Sequence, residues 1–300
     1  MELSWLMRLR IAGVVVTGAV LIGILAWPLA APDDPVAAVR AGNISPGAAI
    51  TLVLLAFLAG FASYFLSWPY GREMGVLAAP SGLAIWAIRS GSMAQLMQIN
   101  RTITQRQALL ALLRWEPVFW LLIVAAGFAG VLLGQKLRPA PIHPQPGQKA
   151  NSTSNKHLSA TISVLIALVA SVLIAHFCIR VLARSVQISS AVAQPAVGQI
   201  VFAVLVSFGL AAFVVKQFLD LDYIWPTIAC ALITAFSINT YIKQDVFYHF
   251  AQSWPATFFP NAVISILPVQ MVAFGTLGSI AGYWLAIRYN YWRKHDTKQQ

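Results

Sequence analysis

"WPYGREMGVLAAPSGLAIWAIRSG", residues 68–91, decides how this chain is arranged. Its middle is apolar but short, and Pro80, Ser81 and Gly82 interrupt it. Three structures suit such a stretch: a loop, a surface helix, or a broken helix crossing a membrane. The choice sets the number of crossings and the side on which each basic segment lies.

Composition supplies the frame around it. The chain has 300 residues, 59% of them hydrophobic and 10% charged, whereas soluble domains carry roughly 25% charge. Nine acidic residues cannot keep a soluble surface hydrated, and several apolar runs reach the roughly 20 residues that span a hydrocarbon core. The sequence therefore predicts an all-α polytopic transmembrane helical bundle with short interfacial helices.

The net charge of +11 does not point to nucleic acid. The Lys and Arg residues flank apolar runs, where they face anionic lipid and set orientation. No arginine-rich arm or aromatic nucleic-acid platform accompanies them. Cys178 and Cys230 lie within apolar runs and read as small buried side chains rather than a disulfide or a CxxC site. Arg8 and Arg10 precede "IAGVVVTGAVLIGILAWPLAAPDD", which resembles a signal peptide in charge. The run is long for a signal core and further spans follow, so a retained first span is expected.

Clear spans fall at about residues 9–30, 48–67 and 117–134 in an N-terminal transmembrane half, residues 1–134. A Pro-rich, polar, basic linker follows at 135–157. The C-terminal half, 158–300, holds spans at about 158–181, 196–215, 223–241 and 261–287, and ends in a basic tail. The divide raises the question of internal repeats, although no residue-level similarity joins the halves. The last run would extend about 40 Å as a helix, so a tilt, a projection or a kink near Pro268 is expected. Residues 92–115 read as a partly amphipathic interfacial helix, and 243–260 as an aromatic-rich segment at the headgroup boundary.

Counting now returns to residues 68–91. Seven crossings would put the basic termini on opposite sides and divide the Lys and Arg residues ten to ten. The positive-inside rule gives that topology no support. If residues 74–88 cross as well, the count is eight, both termini are cytoplasmic, and the basic residues divide twelve to eight. A six-span rival keeps 68–116 cytoplasmic and lets 223–241 lie shallow, dividing them thirteen to seven. Each has a weakness: six leaves "YIWPTIACALITAF" uncrossed, and eight relies on a helix of about 22 Å. The balance favours about eight spans.

Candidate site residues are few. No Asp or Glu occupies the centre of a clear span, which argues against a proton-driven pump. His176, in "VLIAHFCIR", is the candidate for a haem, quinone or proton site, with His157 and His249 as conceivable second axial ligands. Lys216 and Asp220, four apart, read as an ion pair at a span boundary; Arg72 with Glu73, and Arg114 with Glu116, invite the same reading. Two helix breaks, Pro80–Ser81–Gly82 in one half and Pro268 with the nearby Gln270 in the other, could free backbone groups to line a substrate site. "GFAG" at 127–130 and "GTLGSIAG" at 275–282 permit close helix approach, within the chain or against a partner.

No Walker motif, G-x-S-x-G or catalytic carboxylate pair is present. The expected role is a non-enzymatic subunit of a bacterial-type inner membrane, either structural or permease-like, with lipid and partner subunits or further copies around it. No cofactor and no metal are expected. The alternatives are an electron-transfer subunit built around His176 and an ion-coupled small-molecule transporter.

Overall fold

The computed structural model of the chain describes residues 4–32, 34, 37–100, 102–139, 156–184, 192–243, 257–258 and 262–296. They form an all-α bundle. Seven helices are long and apolar enough to cross a membrane.

In the first half, α1 (Trp5–Gly18) opens behind a Ser4 cap and continues as a π-helical segment, Ala19–Leu25, before a last turn, α2 (Trp27–Ala30). Next, α3 (Pro46–Leu66) starts with Pro46 directly after a Ser45 cap, where the missing proline N–H costs nothing. A short helix α4 (Gly71–Met74), a 3₁₀ turn at Gly75–Leu77 and α5 (Ala78–Arg89) follow. The expected interfacial helix at 92–115 is two helices, α6 (Met93–Ile99) and α7 (Ile103–Leu113). Each has its own capping box, Ser92 with Gln95 and Thr102 with Gln105, so two local N-terminal signals divide the stretch. Then α8 (Glu116–Leu137) carries Pro117 in its first turn.

The second half contains α9 (Lys156–Leu182), α10 (Val197–Leu219), α11 (Ile224–Lys243) and α12 (Pro268–Asp296). A parallel pair of two-residue strands joins β1 (Val192–Ala193) to β2 (Thr257–Phe258). Apart from that strand, the aromatic segment at 244–260 lies outside the described residues, as does the linker core at 140–155. The last helix starts at Pro268 rather than near residue 261. Residues 262–265 are turns, and Pro268 is a helix start rather than a kink because its ring suits the first helical position.

Contacts between helices fix their directions. Gly13 of α1 meets Leu66 at the far end of α3, so these two run antiparallel. In contrast, α3 and α8 run parallel: Gly60 meets Gly127, Phe57 and Phe61 meet Gly130, and Tyr64 meets Gly134. The Tyr64 hydroxyl then donates to the Arg138 carbonyl at 2.5 Å. The second half repeats this arrangement. There α10 and α12 run parallel, with Leu205 on Gly278, Gly209 on Gly282 and Phe213 on Tyr289. Within each pair a side chain at Gly60 or Gly282 would collide with the facing backbone, so glycine permits the approach.

Two parallel helices in sequence require a return path, and residues 71–89 provide it. The segment begins beside Tyr64 and Val131 at the end of the bundle where α1 starts, the proximal face. It ends beside Trp27 and Ala37 at the opposite, distal face. Gly71 and Gly75 both lie against Tyr64, and from there the contacts advance along α8 from Val131 to Gly127 and Trp120, so the 3₁₀ turn and α5 rise about 24 Å, less than the roughly 30 Å of a hydrocarbon core. Nearly every residue from Met74 to Ala87 is buried, so protein rather than lipid covers it. Seven helices are long and apolar enough to cross a membrane; this shorter, enclosed stretch runs between the two ends of the bundle beside them, and both ends of the described chain lie on the proximal face. The shallow placement of residues 223–241 in the six-span arrangement does not hold: α11 runs the full way from Tyr223 beside Tyr283 to Tyr241 beside α7.

Candidate functional site

The two halves meet along a seam. Helix α12 packs on α5 and α8, and α11 packs on α8 and α7. Four features on or beside this seam bear on function.

The first is the foot of α12. Gln270 is buried; its Oε1 accepts from the Leu267 amide at 3.1 Å and its Nε2 donates to the Ala87 carbonyl at 3.1 Å. It therefore caps α12 and ties that helix to the last turn of α5. The expected break at Pro80–Ser81–Gly82 is not a break. All three residues are helical within α5, with Pro80 in its first turn, where an N–H has no intrahelical partner to lose. The irregular turn is Gly75–Leu77, just before it. Gly82 instead lets α5 approach Gly18 and Ile22 of the first traverse.

The second is an aromatic cluster at the distal end. Trp86 stands edge-on to Trp27 and Trp120, with centroids 6.3 and 6.2 Å away. The Arg89 guanidinium lies 4.3 Å above the Trp27 ring.

The third is a cavity of about 390 Å³ on the distal face. Ser90, Ser92, Gln95 and Gln98 line it from the first half, and residues 194–197 from the second. The Gln194 side chain accepts from the Ala94 amide at 2.9 Å and closes its floor across the seam. No charged side chain is among the described lining residues.

The fourth is a buried charge. Glu116, 5% exposed, opens α8, and its Oε1 lies 3.4 Å from Arg40 Nε. The amides of Ala41 and Gly42 also face this carboxylate. The expected partner Arg114 is not used: residues two apart on a helix do not face each other. Arg114 lies over the Trp115 ring instead, 5.4 Å from its centroid. Sequence offered no signal for the Arg40–Glu116 pair, whose members are 76 residues apart.

The remaining candidates lie elsewhere. Lys216 and Asp220 form an ion pair at 2.6 Å on the proximal face, and Lys216 Nζ sits 5.1 Å from the Tyr283 ring centroid. Arg72 and Glu73 are exposed neighbours on α4 and do not pair with each other. They act electrostatically on Tyr223 and Tyr283 across the seam. Burial pushes the Tyr223 phenol up from its ordinary range. His176 is half-buried on α9 beside the exposed Phe177. Of the partners considered for a haem, His249 lies outside the described residues and only the backbone of His157 is described. Among the described residues no group of three or more His, Cys, Asp or Glu could hold a metal ion.

No protein-family model matches the sequence, and neither a curated protein nor a solved structure is similar to it.

Proposed function

We propose that the chain is a permease-like integral membrane subunit, without an enzymatic centre of its own, built from two equivalent four-traverse modules. The observation that carries this reading is the repeated parallel pair, α3 with α8 and α10 with α12, each closed by glycines. In both modules the second and fourth traverses run from the distal to the proximal face, and the third runs back beside them.

Such modules would be exchanged by a two-fold axis along the bundle, passing through the α8–α12 contact. It carries the α5–α12 contact onto the α11–α8 contact, and both exist. The turns at residues 67–70 and 220–223 become equivalents on the proximal face. Several transporter folds are built from parallel repeats of this kind and hold their substrates between the halves. The cavity lined from both modules, with neutral hydrogen-bonding side chains, supports the same reading.

Charge supports a bacterial-type inner membrane with cytoplasmic termini. Twelve of the twenty Lys and Arg residues belong to proximal segments in the eight-traverse topology. Several distal arginines are engaged by the protein itself: Arg40 by Glu116, Arg89 by Trp27 and Arg114 by Trp115. The proximal face carries the larger share of Lys and Arg, and the positive-inside rule assigns such a face to the cytoplasm.

Thiol accessibility separates this reading from a purely structural subunit. Cys178 and Cys230 are first replaced, and single cysteines are placed at Gln98 and Gln270. A permease exposes the seam during its cycle, so Gln270→Cys reacts slowly with a membrane-impermeant reagent added from the distal side. Gln98→Cys reacts fast. A Gln270→Cys that never reacts, in a protein labelled normally at Gln98→Cys, favours the structural role.

A further inference from the structure

We propose that Glu116 is a proton-exchange site at the distal end of the bundle, and that protonation releases Arg40 from it.

The local geometry leaves this carboxylate incompletely held. Only Oε1 is engaged by Arg40, through a single contact at 3.4 Å, whereas charge-assisted hydrogen bonds usually close to about 2.7–2.9 Å. Oε2 is buried and has no hydrogen-bond partner, although the Ala41 and Gly42 amides face the group. Two further buried polar atoms without partners lie within one turn, Arg114 Nε and Trp120 Nε1. The other buried side-chain atoms without partners are mostly single hydroxyls on different helices. A buried carboxylate without a full set of partners is costly as an anion and accepts a proton instead.

The surrounding charges are accounted for. Arg40 comes from the α2–α3 connection and, among the described residues, is the charged group acting on Glu116. From the helices packed around α8, Arg89 of α5 is engaged over Trp27, and Arg106 of α7 donates to the Asn100 carbonyl at 2.8 Å. Tyr241 of α11 lies near Arg106. Arg72 and Glu73 of α4 belong to the opposite end of the bundle.

The step balances simply. A proton from water on the distal side forms an O–H bond at Oε2, the carboxylate becomes a neutral acid, and the Arg40 guanidinium keeps its charge and loses its counter-ion. The 3₁₀ turn Ala41–Asn43 adjoins Arg40, so the connection between the first two traverses is the element released. The role as a coupling ion rests on the permease reading; proton binding itself does not.

The test needs no substrate. The full chain in lipid nanodiscs is titrated from alkaline to acid pH, following the tryptophan fluorescence and, as the difference between the wild type and Glu116→Gln, the infrared carbonyl stretch of a protonated carboxylic acid. Both should change with one midpoint, since Trp120 lies one turn from Glu116. Glu116→Gln should abolish that transition, while Glu73→Gln, Asp220→Asn and Asp222→Asn keep it. Arg40→Gln removes a cation that favours the ionised form, so its midpoint should move to higher pH by about one unit or more, a tenfold tighter hold on the proton. Where Glu116→Gln fails to fold, the Arg40→Gln shift decides. A wild-type protein without a transition, a transition that survives Glu116→Gln, or an unmoved midpoint in Arg40→Gln overturns the proposal. None of these results bears on whether the seam admits a reagent, so the permease reading stands or falls separately.

Discussion

The indole N–H of Trp86 donates to the main-chain carbonyl of Gly23 at 3.1 Å. The bond answers a local deficit. Gly23 lies in the π-helical segment Ala19–Leu25, where a carbonyl pairs with the amide five residues on. That residue is Pro28, which has no N–H. A buried tryptophan from the third traverse supplies the missing donor to the first. Trp86→Phe should therefore lower stability by about 1–3 kcal/mol, the cost of an orphaned buried acceptor. Thermal unfolding in detergent measures it. Pro28→Ala restores an N–H, so in the Trp86→Phe background it should recover part of the loss.

The two glycine-closed pairs predict matched sensitivity in both halves. Gly60→Ala and Gly282→Ala each force a methyl group into facing backbone and should cost about 1–3 kcal/mol. Gly47→Ala and Gly198→Ala open onto free space and should change stability little. If only one half responds, the equivalence of the modules is wrong.

Single cysteines at Asn100 and Gln145 report the topology. In a background without Cys178 and Cys230, Asn100→Cys should react from the face opposite the termini and Gln145→Cys from the face that carries them. The reverse pattern would restore the six-span arrangement.

Asp220 ends α10 in the left-handed conformation, with φ of 52°, and its side chain is 89% exposed in the ion pair with Lys216. Asp220→Asn keeps a residue suited to that backbone and should cost less than about 1 kcal/mol, the scale of an exposed pair. Asp220→Val should cost more, because a β-branched side chain resists positive φ. Unfolding of both variants at low and high salt separates the two effects: added salt should diminish the Asn cost and leave the extra Val cost in place.

Much of the fold is legible in the sequence because a bilayer imposes one simple requirement, an apolar run of sufficient length. Pro117 and Pro46 announce helix starts, and Ser92 and Thr102 announce caps. The path of residues 71–89 from one end of the bundle to the other was not legible in their own apolar core, which is short. The 3₁₀ turn at Gly75–Leu77 that precedes α5 leaves no trace in the periodicity. Proline misleads in two places. Pro80 and Pro268 look like interruptions in a hydrophobic run, yet each sits in a first turn. The site was less legible. Arg40 with Glu116 and Gln270 with Ala87 join segments far apart in sequence, and only the packing of one traverse against another selects those partners. The parallel pairs α3–α8 and α10–α12 share direction without sharing residues, so that likeness is visible in geometry alone.

The shared direction of the two modules has a consequence for how such a chain could arise and be rearranged. In the proposed eight-traverse topology each half would enter and leave on the same face. A gene cut at the linker would encode two proteins that insert the same way up, and the halves could be joined in the opposite order without inverting either. A passenger domain fused at either end or in the linker would meet the same compartment.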